Sequence, residues 1–222
     1  YRAPQAFDED MHIAIVGGKR VRIRLADDLR EERSHSVSLS ADLYHTFGKV
    51  QTNLLVEGFY TILDDVFALR DMDDAADGGK VKERYNGSGA TVRGFNVEGR
   101  AAFTRWFELQ AGVTLQQSRY KEPEFWSEDA EVPPVRRMFR TPDAYGYFTA
   151  SFKPVRNFTA DLSGTCTGSM LVQHMAGSGV AQDVAVSTPS FFDMNIRLSY
   201  DVRIYKEITM QLYGGVQNLF NA

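Results

Sequence analysis

The sequence has few of the features that identify most other classes of protein. It contains one cysteine, Cys166, among 222 residues, which excludes an intrachain disulfide and any paired-cysteine metal site. Its longest apolar runs cover only a few residues, whereas a helix that crosses a membrane needs about 20. The formal net charge is only -4, with both signs mixed along the chain. This charge pattern argues against a dedicated nucleic-acid-binding protein.

Enzyme motifs are also missing. We find no phosphate-binding loop, no HExxH helix and no Gly-x-Ser-x-Gly elbow. We therefore predict that the chain is not an enzyme, has no catalytic residues, and holds neither a metal ion nor a cofactor. The composition, with 43% hydrophobic and 24% charged residues, is close to that of ordinary folded proteins and excludes a disordered chain.

The dominant pattern is an alternation of apolar and polar residues with a period of two, which is typical of β-strands. It predicts eight strands, and no segment of comparable quality has a helical period. The predicted strands cover residues 34–45, 49–63, 95–104, 107–115, 144–152, 158–172, 192–202 and 208–217.

These strands are long, and their connections alternate in length. A strand that crosses a membrane needs about 9–11 residues, and connections of a few residues alternate here with long ones at about 64–89, 121–142 and 173–189. Short turns at one end and long loops at the other are typical of outer-membrane barrels. We predict an all-β fold, an antiparallel transmembrane β-barrel segment of about eight sequential up-and-down strands. A soluble sandwich or lipocalin-like barrel is the alternative.

The alternation also predicts which face of each strand meets lipid. The apolar face should form the barrel exterior and the polar face should line the lumen. Predicted exterior residues are Val37, Leu39, Phe107, Leu109, Phe192, Met194, Ile208 and Met210, and predicted lumen residues are Ser36, Ser38, Glu108, Asp193, Asn195 and Gln211.

Three short motifs resemble those of TonB-dependent outer-membrane receptors. Tyr1 to Pro4 (YRAP) resembles the family's Phe-Arg-Ala-Pro box, and Ala26 to Glu32 (ADDLREE) resembles its Asn-Pro-x-Leu-x-Pro-Glu segment. Gly215 to Asn221 (GVQNLFN) is similar to the Asn-Leu-Phe motif near the family's C-terminus. The resemblance implies the C-terminal part of a 22-stranded barrel, with the plug domain and TonB box outside this chain. We expect residues 1–33 to form an outer-loop region and residues 34–222 to form barrel strands.

Ligand-binding residues are expected in the long connections, where aromatic and cationic side chains are concentrated. Aromatic faces and guanidinium groups suit a flat, anionic chelate. His12 is included because the resemblance implies a ligand histidine between the first two motifs in haem-type receptors. The candidates are His12, Trp126, Arg136, Arg137, Arg140 and His174. The alternative is that these loops only pack on one another.

Taken with the resemblance, these observations predict an outer-membrane receptor of a Gram-negative-type bacterium. It would import a scarce ligand, such as a ferric siderophore, haem or another metal chelate, by TonB-coupled transport. The expected partners are that small molecule, the lipid bilayer, a TonB-type energy-coupling protein and a surface lipoprotein, with no nucleic acid. The alternatives are a small structural or adhesive outer-membrane barrel without transport, and a soluble ligand-carrying barrel.

Overall fold

The computed structural model describes residues 3, 21–72, 80–127, 129, 131–177 and 179–220. Within them the regular structure consists of β-strands. The strands are β1 (Val21–Leu25), β2 (Arg33–Phe47), β3 (Val50–Asp64), β4 (Phe67–Met72), β5 (Lys80–Asn86), β6 (Ala90–Thr104), β7 (Phe107–Glu124), β8 (Val135–Arg137), β9 (Ala144–Phe152), β10 (Phe158–Thr167), β11 (Leu171–His174), β12 (Val184–Ser187), β13 (Phe191–Tyr205) and β14 (Ile208–Val216). The described residues include no helix that could cross a membrane.

Eight long strands form the main sheet in the order β14-β13-β10-β9-β7-β6-β3-β2, and the short strand β8 pairs with β7. All neighbours in this order are antiparallel. The eight predicted strands and their sequential pairing are therefore confirmed. In the described residues the two outermost strands, β2 and β14, do not pair with each other, so the sheet is an open wall.

Three predicted strand ends are wrong by five residues or more. The strand predicted over residues 95–104 already begins at Ala90 as β6, and the strand predicted over residues 107–115 continues to Glu124 as β7. The alternation predicted a strand to residue 172, but β10 ends at Thr167, and Leu171 begins the separate strand β11. Gly168 lies between them and donates its N–H to the Ala144 carbonyl at 2.8 Å. A Cβ at Gly168 would lie 2.7 Å from that oxygen, so the chain leaves the sheet at a close backbone contact.

The register places the apolar side chains on one face of the sheet. Val56 of β3 pairs with Val97 of β6, which in turn pairs with Val113 of β7. This face is uncovered: Val37 is 74% exposed and Leu39 is 82% exposed. Among the described residues the only buried hydrophobic ones are Ala26 and Ala90, so no closed apolar interior is present there. All the predicted exterior residues share this face, and the predicted lumen residues share the opposite one.

The alternation did not predict the short strands, and all of them except β1 belong to the long connections between strands of the main sheet. β4 and β5 form a hairpin in the first long connection, and β11 and β12 form one in the third. β1 pairs with β5 in parallel, with Val21 opposite Lys80 and Leu25 opposite Arg84. The short turns lie at the other end of the main sheet. The turn between β2 and β3 contains Gly48 at φ 62°, a left-handed conformation that glycine adopts without strain.

Candidate functional site

The second and third long connections pack against each other. The Arg137 guanidinium at the end of β8 donates to the Ser169 carbonyl at 2.8 Å and lies 3.1 Å from the Asp143 carboxylate. The backbone N–H of Arg140 donates to the Leu171 carbonyl at 2.8 Å. The end of β8 and the residues that follow it are therefore hydrogen-bonded to Ser169 and to Leu171, the first residue of the β11–β12 hairpin.

Asp183 is a second tie between the same two connections. Its carboxylate accepts the Ser127 hydroxyl at 2.7 Å and the Ala176 backbone N–H at 2.7 Å. The Ala176 N–H and then the Ser127 hydroxyl hold the pKa of Asp183 below its usual range. Both groups favour the charged form of Asp183. The stabilisation from these two hydrogen bonds is therefore fully present above the ordinary pKa of an aspartate and is lost as the pH falls through the lowered pKa of Asp183.

An aromatic contact and three buried polar atoms lie near the β7–β8 connection. The Trp126 and Phe139 rings meet edge to face, with their centroids 5.4 Å apart. The Trp126 Nε1, the Arg137 Nε and the Ser118 Oγ are buried atoms without a hydrogen-bond partner in the described part of the chain. Ser118 itself is only 1% exposed. Buried polar groups normally have partners, so these three atoms are exceptions within the described part of this connection.

The candidate residues are only partly brought together. Trp126 and Arg137 are half-buried within the packed connections. Arg136, Arg140 and His174 are exposed, and their side chains make no hydrogen bond or ion pair with other residues of the described ranges. His12 lies outside the described residues. Five of the six candidates thus lie at the long-loop end, two in packing contacts and three free to meet a ligand.

Sequence reasoning missed an acidic residue at this end of the sheet. Glu124, at the end of β7, is half-buried, and this burial raises its pKa. The pKa values of Tyr85 and Tyr120 are raised first by burial and then by the charge of Glu124. The three residues come from β5 and β7, and only the fold places them near one another.

The polar face below the loops is a hydrogen-bonded wall. Tyr147 of β9 donates its hydroxyl to Glu98 at 2.6 Å and accepts the Gln110 amide at 3.1 Å. Its ring lies over Gly112, where a Cβ would come within 2.6 Å of the ring. Similar bonds link Asn96 to Glu57 and to Thr114, each at 2.8 Å. This face therefore carries fixed polar and charged groups along the length of the strands.

The residues of the third sequence motif fold back onto the main sheet. The Asn218 N–H donates to the Asn195 side-chain oxygen at 3.0 Å, and the Leu219 N–H donates to the Met194 carbonyl at 2.9 Å. The Phe220 ring lies 6.0 Å from the Phe192 ring. The motif thus ends β14 by anchoring the chain to β13.

An antiparallel meander of long strands with one uncovered apolar face and one polar face is the wall of a membrane β-barrel. The family comparison agrees: residues 1–219 match the model described as TonB dependent receptor-like, beta-barrel. The chain belongs to this family. Proteins of the family are receptors of the Gram-negative outer membrane and not enzymes, so the predicted fold class, location and non-enzymatic nature are confirmed. The soluble sandwich and the soluble ligand carrier are excluded.

Solved structures show the same fold. The chain is similar to the ferric-catecholate import receptor Fiu from E. coli K12, with a TM-score of 0.60 and 15% identity over 89% of this chain and 24% of that one. For the FrpB iron transporter from Neisseria meningitidis the TM-score is 0.57 and the identity is 14%, and the match covers 90% of this chain and 29% of FrpB. For the copper transporter OprC the TM-score is 0.56 and the identity is 14%, and the match covers 87% of this chain and 26% of OprC. A comparison with the curated proteins finds no match.

The chain covers 24–29% of the lengths of these three structures, about a quarter. At these identities the likeness concerns the fold. Ligand, partners and coupling of the whole protein are therefore matters for a proposal.

Proposed function

We propose that the protein imports an anionic metal chelate across the outer membrane, by transport coupled to a TonB-type protein. The observation that carries this proposal is the pair of exposed guanidinium groups, Arg136 and Arg140, on connections that also hold Trp126 and His174. A guanidinium binds carboxylate or phenolate oxygens through two parallel hydrogen bonds, and an indole stacks on a flat ligand. The structural neighbours include an iron importer and a copper transporter, which supports a metal-containing ligand.

Each part of the wall has a role in this proposal. The packed second and third connections hold the cationic groups at the long-loop end. Below them the polar face offers Glu57, Glu98 and Tyr147 as fixed hydrogen-bonding groups along the lumen. The uncovered apolar face meets the lipid bilayer. A surface lipoprotein that delivers the ligand remains a further proposed partner, which would contact the same long connections.

Uptake measurements test the proposal directly. We would compare the full-length protein with its R136Q/R140Q variant, using ferric enterobactin, haem and copper as separate ligands. We expect uptake of the anionic chelate to fall at least tenfold, because two charge-assisted contacts are removed. R156Q is the matched control, since it removes an exposed guanidinium from a short turn at the opposite end of the sheet.

Two further results would separate the alternatives. If the ligand is haem, H12A and H174A should reduce uptake of haem while leaving ferric enterobactin unaffected. If R136Q/R140Q and R156Q transport every ligand equally well, the long connections do not bind it and the assignment fails. If the wild-type protein imports none of these ligands, the structural or adhesive barrel is the better explanation.

A further inference from the structure

The apolar face of the wall ends at the same level on the two neighbouring strands β6 and β7. Counted from their short turn, the outward-facing side chains are apolar or glycine over residues 95–103 of β6 and 107–115 of β7, nine residues in each strand. This length matches the 9–11 residues or so that a strand needs to cross the hydrocarbon layer. The next outward-facing positions, toward the long connections, therefore lie at the level of the lipid headgroups.

Arginine side chains occupy these next positions. In the β6–β7 register Phe95 lies opposite Leu115, and two residues further along Arg93 lies opposite Gln117. Residues two apart on a strand share a face, so Arg93 is on the lipid-facing side and not in the lumen. The same count places Arg119, two residues beyond Gln117, on that side. Both arginines are exposed.

Acidic residues do not neutralise all the cations at this level. The ammonium group of Lys121, also on β7, is bound to the carboxylate of Asp64 at the end of β3. The guanidinium of Arg93 instead donates to the neutral Gln117 side-chain oxygen at 2.9 Å, which positions the group and leaves its charge uncompensated. A guanidinium has five N–H donors, so Arg93 keeps donors for a further group.

Arg119 is the second uncompensated cation. In the described part of the chain its side chain has no hydrogen-bond or ion-pair partner. The residues opposite it are Thr91 on β6 and Arg137 on β8, and Arg137 already has its own ion pair with Asp143. Like charges at opposite positions repel each other, and Arg93 is a diagonal neighbour of Arg119 at about 7–8 Å. An anion that meets both Arg93 and Arg119 would relieve this repulsion.

The surroundings of the two arginines favour a lipid over a soluble anion. Tyr60 on β3 lies opposite Arg93 and is exposed, and tyrosine is enriched where a membrane meets water. On the other side of the arginines, toward the short turns, the exposed side chains of Phe95 and Leu115 begin the uncovered apolar face. A lipid would place its phosphate against the guanidinium groups and its acyl chains on that apolar surface. A soluble phosphate would use only the first of these contacts.

From this placement we propose that Arg93 and Arg119 bind the phosphate group of an anionic lipid in the outward-facing leaflet. Long loops face outward in barrels of this kind, and a guanidinium binds phosphate oxygens through two parallel hydrogen bonds. Charge complementarity and continuity with the apolar face support this occupant. The site lies on the lipid side of the wall, so it does not depend on the proposed import function.

Calorimetric titration of the full-length protein in an uncharged detergent tests the site. The probes are short-chain phosphatidylglycerol, phosphatidylcholine with the same chains, and inorganic pyrophosphate, each added separately. We expect saturable binding of phosphatidylglycerol, at least tenfold tighter than that of phosphatidylcholine, whose ammonium group cancels the phosphate charge. The R93Q/R119Q variant should bind phosphatidylglycerol at least tenfold more weakly. The matched control is R105Q/R156Q, which removes the same charge from two short turns and should change the affinity less than twofold.

Each further outcome decides for or against the proposal. If R93Q/R119Q does not assemble, as judged by heat-modifiable gel mobility, the single variant R119Q should still weaken binding severalfold, because Arg119 has no partner to lose in the described structure. Equal affinities for the two lipids, or equal losses in R93Q/R119Q and R105Q/R156Q, would overturn the proposal. It also fails if pyrophosphate binds as tightly as phosphatidylglycerol, which would assign the arginines to a soluble anion. An oligomer in detergent that only R93Q/R119Q dissociates would assign them to a second copy of the protein.

Discussion

The two faces of the main sheet use the same backbone and differ in what their side chains require. On the polar face, Tyr147 lies over Gly112 and its hydroxyl is bound to Glu98 and Gln110. On the apolar face, the Phe148 ring lies over Gly164 in the same manner without any polar contact. Both rings cover a glycine on the neighbouring strand, but only the polar face adds directional bonds. We infer that the polar face specifies side-chain positions, whereas the apolar face needs only hydrophobic surface.

The largest effect is expected from a charge on the apolar face. Leu162 and Ser163 are consecutive in β10, on the apolar and polar faces respectively. L162R should reduce the stability of the assembled barrel by about 2–4 kcal/mol, because an arginine is placed among lipid chains. S163R is the matched control and should assemble normally. Heat-modifiable gel mobility and urea titration in lipid vesicles measure this difference, and equal effects would contradict the assignment of the faces.

Filling the space under Tyr147 should have the next largest effect. In G112A the new methyl group would come within 2.6 Å of the tyrosine ring, so the ring must move away from its hydrogen-bond partners. We expect a destabilisation of about 1–3 kcal/mol, typical of overpacking. G99A is the control, because a Cβ at Gly99 meets nothing within 4 Å. Urea unfolding of both variants in vesicles is the measurement, and a G112A variant as stable as G99A would show that the ring is not fixed.

Removing only the Tyr147 hydroxyl sharpens the comparison of the two rings. Y147F keeps the ring over Gly112, as Phe148 covers Gly164, but loses the bonds to Glu98 and Gln110. The expected cost is about 0.5–1.5 kcal/mol, the net value of an ordinary hydrogen bond. Y145F is the matched control in β9, on the same face but without such bonds in the described residues. If Y147F and Y145F have the same free energy of unfolding, the hydrogen bonds of Tyr147 do not fix side-chain positions on the polar face.

The smallest perturbation uses the free cysteine as a reporter of the faces. Cys166 is exposed on the apolar face, so in vesicles it should not react with a charged, water-soluble thiol reagent. T165C, made in a C166A background, places a thiol on the polar face of the same strand. That thiol should be labelled at least tenfold faster, with no change in stability. Rapid labelling of Cys166 in the wild-type protein would reverse the orientation of the wall.

Long strands with strict alternation could be predicted from the sequence because one residue of slip would exchange the two faces completely. The short strands β1, β4, β5, β8, β11 and β12 could not, since each has only three to seven residues, too few for an alternation to stand out. The end of β10 was missed because it depends on the close contact between Gly168 and Ala144. The loop residues Trp126 and Arg137 were chosen as candidates by residue type alone, and their role in binding stays a prediction. Asp183 and Glu124 gain their roles from contacts or burial that only the folded loops create.

The parallel pairing of β1 with β5 also has a mechanical consequence. Val21 starts β1 opposite the first residue of β5, while the far end of β5 leads through Asn86 into the barrel wall. A pull on the chain ahead of Val21, resisted by the wall beyond Asn86, acts on opposite ends of the two strands. All the hydrogen bonds between β1 and β5 are then loaded together in shear, and they do not break one at a time. Such a pull would be transmitted to the β4–β5 hairpin as a whole. The β1–β5 pair can therefore act as a stiff mechanical link between the chain before Val21 and the outer loops.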